Sequence, residues 1–317
     1  MSLLSVRDLE VGFDAPAGEV RAVRSVSFDL APGERVALVG ESGCGKTTTM
    51  LAMMGLLPAG AVVSGQVLLD GRDILAGGES SMRPHRWTDI AMVFQGAMNA
   101  LNPVRRVGAQ IVEAVRIHGG SRRDGRSRTR ELLELVGLPA DFAARYPHEL
   151  SGGQRQRAVI ALALACEPRV LLADEPTTAL DVIVQDQIVT LLRELSDTLG
   201  LAVVMVTHDL ALVPHLCERA AVMYAGSIVE TAACADIVQR PAHPYTRRLV
   251  DATPDLAGLR PLSSIPGVPP RLDQVLSGCP FQPRCTDAVE SCETTAPPLL
   301  DLGAGRSCAC HLTEVVA

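Results

Sequence analysis

Gly40-Glu41-Ser42-Gly43-Cys44-Gly45-Lys46-Thr47 fits the pattern G-x-x-x-x-G-K-[ST] and lies between an apolar run, Arg35 to Val39, and a helix-like run, Thr47 to Leu57. Strand, glycine loop and helix in that order are the setting a phosphate-binding loop requires. The glycines let the backbone turn its N–H groups inward around phosphate oxygens, and the helix N-terminus beyond adds partial positive charge where a β-phosphate would lie. On this reading Lys46 reaches the β- and γ-phosphates, Thr47 offers its hydroxyl to Mg2+, and Thr48 closes the binding stretch. Lys46 is the only lysine among 29 basic residues. A chain that uses arginine everywhere else keeps here a compact ammonium on a flexible stem, where a planar guanidinium would fit badly. Cys44, beside Lys46 and a helix N-terminus, is expected to have a lowered thiol pKa and raised reactivity.

At 317 residues the chain can hold one large α/β domain with an appendage, or two domains. Its net charge is -7, and the arginines are scattered apart from the cluster Arg122 to Arg130, which reads as a solvated helix face. No broad basic surface for nucleic acid is expected. The longest apolar run, Ala158 to Cys166, is nine residues, far short of a bilayer span. Met1 to Ser5 lacks the charged start and long apolar core of a secretory leader, so a cytosolic protein is expected. Nine cysteines in that compartment argue for thiols or metal ligands over disulfides.

Along the chain, Leu3 to Val11 and Val20 to Leu30 read as strands separated by the turn-rich Asp14 to Gly18, with Phe13 available either to stack on an adenine ring or to sit as an ordinary half-buried aromatic. Ser64 to Leu69 and Ile90 to Phe94 read as strands, and Gly77 to Ser81 as loop. Gln95, at a strand end, could sense a γ-phosphate or its metal, though a surface glutamine would look the same. From Val107 to Gly137 the apolar spacing becomes helical. Leu150-Ser151-Gly152-Gly153-Gln154 then leads into an apolar helix. Ser151 is a good N-cap, and the two glycines are expected to leave the helix end bare for an anion from outside. Val170 to Pro176 is a buried strand closing on Asp174, which would hold Mg2+, and Glu175, which would act as general base toward the attacking water. Asp181 opens the helix Val182 to Leu199, and His208 follows the strand Leu201 to Thr207, where it could contact a γ-phosphate or serve structure alone.

In this order and spacing the motifs resemble the nucleotide-binding subunit of ABC transporters, with Leu150 to Gln154 similar to the signature sequence. The resemblance covers about the first 235 residues. It implies an α/β P-loop NTPase fold of ABC type: a RecA-like core, an antiparallel β subdomain and a helical subdomain of about Gly96 to Cys166. By the same resemblance Gln95 is the Q-loop glutamine, Asp174 and Glu175 the Walker B pair, Asp181 the D-loop aspartate, His208 the switch histidine and Phe13 the adenine-stacking residue. Mg2+ is then expected at Thr47, Gln95 and Asp174, and catalysis at Lys46, Glu175 and His208. Each ATP would lie between one subunit's phosphate loop and Ser151, Gly152, Gly153 and Gln154 of a second nucleotide-binding subunit. Soluble ABC-type ATPases of DNA repair or translation are the competing class, but they carry a coiled-coil insert or two fused modules, and this chain has neither.

His243-Pro244-Tyr245-Thr246, a proline-rich linker from Pro254 to Pro270, and Asn99-Ala100-Leu101-Asn102-Pro103 resemble ATP-binding subunits of dipeptide and oligopeptide importers, a group that includes nickel and glutathione systems. The division implied is a cassette over 1–237 and an extension over 238–317. The implied partners are a second, different nucleotide-binding subunit, two transmembrane permease subunits at the cytoplasmic face of the membrane and, indirectly, an extracytoplasmic peptide-binding protein.

Five of the nine cysteines fall in the final 39 residues: Cys279, Cys285, Cys292, Cys308 and Cys310. The segment has too few large apolar residues for a core of its own, so a metal is expected to staple it. The C-x2-C pairs of structural zinc sites are missing, and Cys279 is followed by proline as in some ferredoxin ligand runs. The importer resemblance implies a four-iron four-sulfur cluster on Cys279, Cys285, Cys292 and Cys310, with Cys310 preferred over Cys308 because His311 follows it. Zinc and unligated thiols are the alternatives.

Overall fold

The computed structural model describes residues 2–15, 18–96, 100–253, 264–274 and 276–313. They fall into two compact units, Met1–Leu30, Val36–Gly78 and Thr207–Ala317 in the first and Ala31–Arg35 and Glu79–Val206 in the second.

The first unit opens with β1 (Leu4–Ala15) and β2 (Gly18–Leu30), followed by β3 (Arg35–Val39), α1 (Lys46–Met53), β4 (Ala61–Leu69) and β5 (Arg72–Asp73). The order β2-β1-β4-β5 makes an antiparallel sheet. The strands are longer than expected: β1 runs on past Val11 to Ala15 and β2 begins at Gly18, taking in Asp14, Ala15 and Gly18 of the stretch read as a turn. Within β1 the register shifts between Val6 and Leu9, where Asp8 adopts a φ of 44°. An extra residue at such a bulge changes the phase of inside/outside alternation along the strand. Val36–Val39 are all buried, as a strand in a parallel pairing requires.

The second unit contains α2 (Glu79–Met82), β6 (Ile90–Val93), α3 (Val107–Ile117), α4 (Arg122–Leu135), α5 (Gly152–Ala163), β7 (Val170–Asp174), α6 (Val182–Leu199) and β8 (Ala202–Thr207). Strands β6, β7 and β8 are parallel neighbours, and every residue in them is buried. Helix α2 replaces part of the loop expected over Gly77 to Ser81, and β6 stops at Val93, leaving Phe94 exposed. Ser121 caps α4 in a capping box with Asp124, and Arg122, Arg123, Arg126 and Arg130 on that helix face solvent as expected. Asp181 caps α6, which ends at Gly200 with φ 64°, the left-handed stop that glycine permits.

The chain then re-enters the first unit with α7 (Val213–Leu216), β9 (Arg219–Tyr224), β10 (Ser227–Ala233), α8 (Cys234–Gln239), α9 (Pro244–Asp251), α10 (Ser291–Thr294), β11 (Leu300–Gly303) and β12 (Arg306–Cys308). Strand β9 pairs in parallel with β3, and β10, β12 and β11 follow outward in antiparallel order. The compact units therefore do not follow a division at 237/238, since the tail shares the unit of the phosphate loop. Nor does the tail lack a core. Phe281 is 1% exposed, edge-on to Tyr224 at 5.3 Å and 5.4 Å from Tyr245. It borrows the apolar interior of β9 and α9, which removes the argument that only a metal could hold it. Of the proline-rich linker, 254–263 lies outside the described residues; its far end is tied down, for Arg284 Nε donates to the Pro266 carbonyl at 2.8 Å.

Candidate nucleotide site

Gly40 to Thr47 joins β3 to α1 as the sequence requires. Gly40 has φ 153° and a Cβ there would meet the Met223 carbonyl oxygen at 2.3 Å; Gly45 has φ 104° and a Cβ there would meet the Ala22 carbonyl at 2.4 Å. Both positions therefore exclude any side chain, by conformation and by contact. Helix α1 starts at Gly45 with no side-chain cap, which leaves its positive end directed into the loop. The buried Lys46 ammonium donates to the Gly40 carbonyl at 2.7 Å and the Glu41 carbonyl at 2.9 Å. Those are bonds a phosphate could take over. Thr47 and Thr48 are half-buried beside it.

Cys44 departs from expectation. Its thiol is buried, and desolvation pushes its pKa up, with the Lys46 ammonium 3.6 Å away offsetting only part of that. A thiolate in that position would lose more hydration than one neighbouring cation returns. Cys44 is therefore a small buried filler of the loop, and the reactive-thiol reading is corrected.

In the second unit, β7 ends on Asp174, 1% exposed, and Glu175 follows with φ 44°, a left-handed conformation uncommon for a residue with a side chain. The Glu175 N–H donates to the Val206 carbonyl, which holds that backbone in place. One Glu175 carboxylate oxygen accepts from Gln95 Nε2 at 2.9 Å and from the Thr178 hydroxyl at 2.8 Å. The glutamine that stood alone in the sequence is thus a direct partner of the carboxylate 80 positions later. Thr178 was missed; a hydroxyl three residues past the glutamate was its only signal.

Ser151 caps α5 by accepting the Gln154 N–H at 3.3 Å, while the Gln154 side chain accepts the Ser151 N–H at 3.0 Å. The expectation of a bare end is corrected accordingly. The capping box occupies the Gln154 N–H, so an anion reaching this helix end would have to compete with the Ser151 hydroxyl for it. Asp181 accepts the Val184 N–H at 2.9 Å, so its carboxylate serves α6. In the first unit His208 stands exposed just past β8. Phe13, half-buried, lies within β1 opposite Val20 and Ala61, since the strand runs on through Asp14 to Ala15. Asn99 lies outside the described residues.

Residues missed in the sequence surround the phosphate loop from the tail. The Glu41 N–H donates to the Tyr245 hydroxyl at 2.9 Å, and the Glu41 carboxylate accepts from Arg284 at 2.6 and 3.0 Å. His243 caps α9, its Nδ1 accepting the Tyr245 N–H at 3.0 Å, and the buried Glu230 carboxylate accepts the Ala242 and His243 N–H groups at 2.7 and 2.9 Å. The stretch His243 to Tyr245 was legible as a family marker, but its hydrogen bonds were not.

Cys279, Cys285, Cys292 and Cys310 line one cavity of about 10 Å³ together with His243, Phe281, Asp287 and His311. Burial pushes the Cys279 and Cys285 thiols up. Cys308 does not line the cavity. It is buried on β12 opposite Glu230, and its thiol is pushed up to about 12 by burial. Among the described residues no three of His, Cys, Asp and Glu are disposed to hold a single metal ion, and no helix is long and apolar enough to cross a membrane.

Two families match the chain: ABC transporter over residues 23–178, and the C-terminal region of oligopeptide/dipeptide transporters over 229–292. The chain is 47% identical to a probable peptide ABC transporter ATP-binding protein of Sinorhizobium fredii, covering 99% of this chain and 96% of that one. The chain belongs to the oligopeptide/dipeptide group of ABC transporter ATP-binding proteins. Within the group it is 45% identical to the oligopeptide transport ATP-binding protein OppD of Escherichia coli, over 98% of this chain and 93% of that one. Against the dipeptide transport ATP-binding protein DppD of Bacillus subtilis it is 45% identical over 93% and 90%. Among solved structures it is similar to a dimeric bacterial ABC transporter cassette, with a TM-score of 0.65 and 29% identity over 73% of this chain and 98% of that one. The same cassette in a post-hydrolysis state, bound to ADP and phosphate, gives the same values.

Proposed function

We propose that this protein is the ATP-hydrolysing subunit that powers uptake of di- and oligopeptides through an ABC importer. The observation that carries the reading is similarity at 45–47% identity to peptide transport ATP-binding proteins along nearly their whole length, tail included. In the first unit, Lys46 and the loop amides take the β- and γ-phosphates, Thr47 is the residue for Mg2+ and Phe13 stacks on the adenine; in the second, Gln95 and Asp174 are the residues for Mg2+. Glu175 is the general base, held by Gln95 and Thr178, and His208 addresses the γ-phosphate. Ser151 to Gln154 and Asp181 serve the nucleotide of a second cassette, so turnover needs the paired subunit, and two permease subunits convert closure and opening into alternating access. Deleting the gene and measuring uptake of labelled di- and oligopeptides tests this; unchanged peptide uptake with lost nickel uptake would move the substrate to a metal.

For the tail, the reading is that Cys279, Cys285, Cys292 and Cys310 hold a four-iron four-sulfur cluster. What supports it is the donor set, four thiols around one cavity, which suits a cluster and its cysteine ligands. The cavity, about 10 Å³, is far smaller than a cluster, so the four thiols would have to stand further apart to hold one. When bound it supplies a structural cross-link, since ATP hydrolysis needs no redox step. Anaerobically purified protein is expected to be brown with about four irons per chain. Cys308→Ser keeps that iron and Cys285→Ser loses it, whereas a colourless preparation with stoichiometric zinc would replace the cluster by zinc.

A further inference from the structure

The phosphate loop carries an acidic residue, Glu41, in a place that must receive a polyanion. Its carboxylate, if free, would repel the phosphates that Lys46 and the α1 N-terminus attract. In the structure it is gripped by Arg284, which lies 243 residues later in sequence. The grip is a two-pronged fork, one guanidinium nitrogen to each carboxylate oxygen at 2.6 and 3.0 Å. The other donors of Arg284 are also engaged: Nε to the Pro266 carbonyl at 2.8 Å, one terminal nitrogen to the Tyr224 hydroxyl at 3.2 Å, the other to the Ile265 carbonyl at 3.5 Å. The Arg284 side chain is only 3% exposed. A guanidinium buried that deeply with its donors spent is a fixed anchor; a lysine could not make the same fork. Glu41 is held at two further points. Its N–H donates to the buried Tyr245 hydroxyl, and its carbonyl accepts from Lys46. The ring that carries that hydroxyl is packed between Tyr224, at 4.5 Å, and Phe281.

We propose that Arg284 and Tyr245 are positioning residues of the phosphate loop, through which the C-terminal segment sets the loop's affinity for MgATP. Arg284 neutralises Glu41 and turns its carboxylate toward the tail. Tyr245 takes the Glu41 N–H, which fixes where the loop starts its turn around the phosphates. Neither residue needs to touch the nucleotide. Arg284 sits directly before Cys285, in the turn Gln282–Arg284, so whatever orders the cysteine segment also orders the anchor.

The inference rests on the loop's being the nucleotide site, and one titration separates the two. MgATP labelled on the ribose with a fluorophore is bound to the full chain, and the affinities of parent, Arg284→Gln, Arg284→Lys, Tyr245→Phe and the double variant Glu41→Gln/Arg284→Gln are compared. Thermal midpoints and metal content per chain are measured on the same samples. Arg284→Gln is expected to weaken binding about tenfold or more, the size of one lost charge-assisted contact. Arg284→Lys, which keeps the charge and loses the fork, is expected to fall between Arg284→Gln and parent, and Tyr245→Phe to weaken binding about threefold. The double variant, with no carboxylate left to repel phosphate, recovers most of the loss. In the assembled transporter KM for ATP moves while kcat stays within about twofold, as removal of a binding contact requires. Parent-like affinity in both Arg284→Gln and Tyr245→Phe would overturn the proposal, as would a double variant as weak as Arg284→Gln alone. Should Arg284→Gln not fold, Tyr245→Phe and Arg284→Lys decide by the same criterion. A parent chain that does not bind MgATP overturns the site reading itself.

Discussion

Glu175 combines two features that are separable by mutation: a backbone held at positive φ and a carboxylate oxygen shared by Gln95 and Thr178. Glu175→Gln changes only the charge and the basicity, leaving a side chain of the same shape. In the assembled transporter it is expected to bind ATP like the parent and to release phosphate roughly a hundredfold or more slowly, the scale of a positioned base; equal turnover would remove Glu175 from the chemistry. Cys44 gives a prediction of the opposite kind. With its pKa raised by burial, native protein at neutral pH is expected to be alkylated there slowly, and the rate to rise with pH only above the ordinary thiol range. After unfolding the same cysteine should react at once. Peptide mapping of carbamidomethylated protein before and after denaturant checks both. The local sequence, a cysteine between glycines and a lysine, reads as an activating setting because it shows the cation and hides the burial.

At the scale of elements, α4 and α5 begin with the same device, a serine capping box, yet the family reading gives them different work. Ser121→Ala and Ser151→Ala are each expected to cost about 1 kcal/mol in urea unfolding, the usual worth of an N-cap. Only Ser151→Ala should also lower ATPase activity of the assembled transporter, because only that helix end is read as facing a nucleotide. Equal activity loss in both, or in neither, would detach the capping of α5 from function. Ser151 was legible as an N-cap, but the return bond that closes its box with Gln154 was not, and the Ser121–Asp124 box went unread. The continuous apolar runs of β3, β7 and β8 were plain, since a strand buried on both faces needs no alternation. Strand β1 was legible as far as Val11, while its last residues, Gly12 to Ala15, fell outside the expected strand; α2, whose four residues carry no periodicity, was not legible.

For the whole molecule, the tail's contribution to stability is expected to run through Phe281. Burying it against Tyr224 and Tyr245 joins residues of three separate chain segments, and Phe281→Ala should cost about 3–5 kcal/mol, as for other fully buried aromatic truncations. Because the same aromatic cluster supports the Tyr245 hydroxyl, that variant should lose MgATP affinity along with stability. Denaturant unfolding and nucleotide titration of one preparation test the pairing, and a Phe281→Ala chain of parental stability would show the tail to be an appendage after all.

The candidate site was read from the sequence alone, because phosphate and magnesium chemistry demand particular residue types at short, fixed spacing: Gly40 to Thr47, Asp174 with Glu175, Ser151 to Gln154. Those arrangements are local: the first two lie between a strand and the helix after it, and the third opens α5 directly after a short helical turn at Pro147–Glu149. What only the tertiary structure decided is how these pieces are held. The burial that raises the Cys44 pKa, the meeting of Gln95 with Glu175 and the clamp of Arg284 and Tyr245 on Glu41 all depend on contacts between residues up to 243 positions apart. Nothing in the spacing of a motif encodes such a contact, since chain folding brings those side chains together through cores that many different sequences can fill.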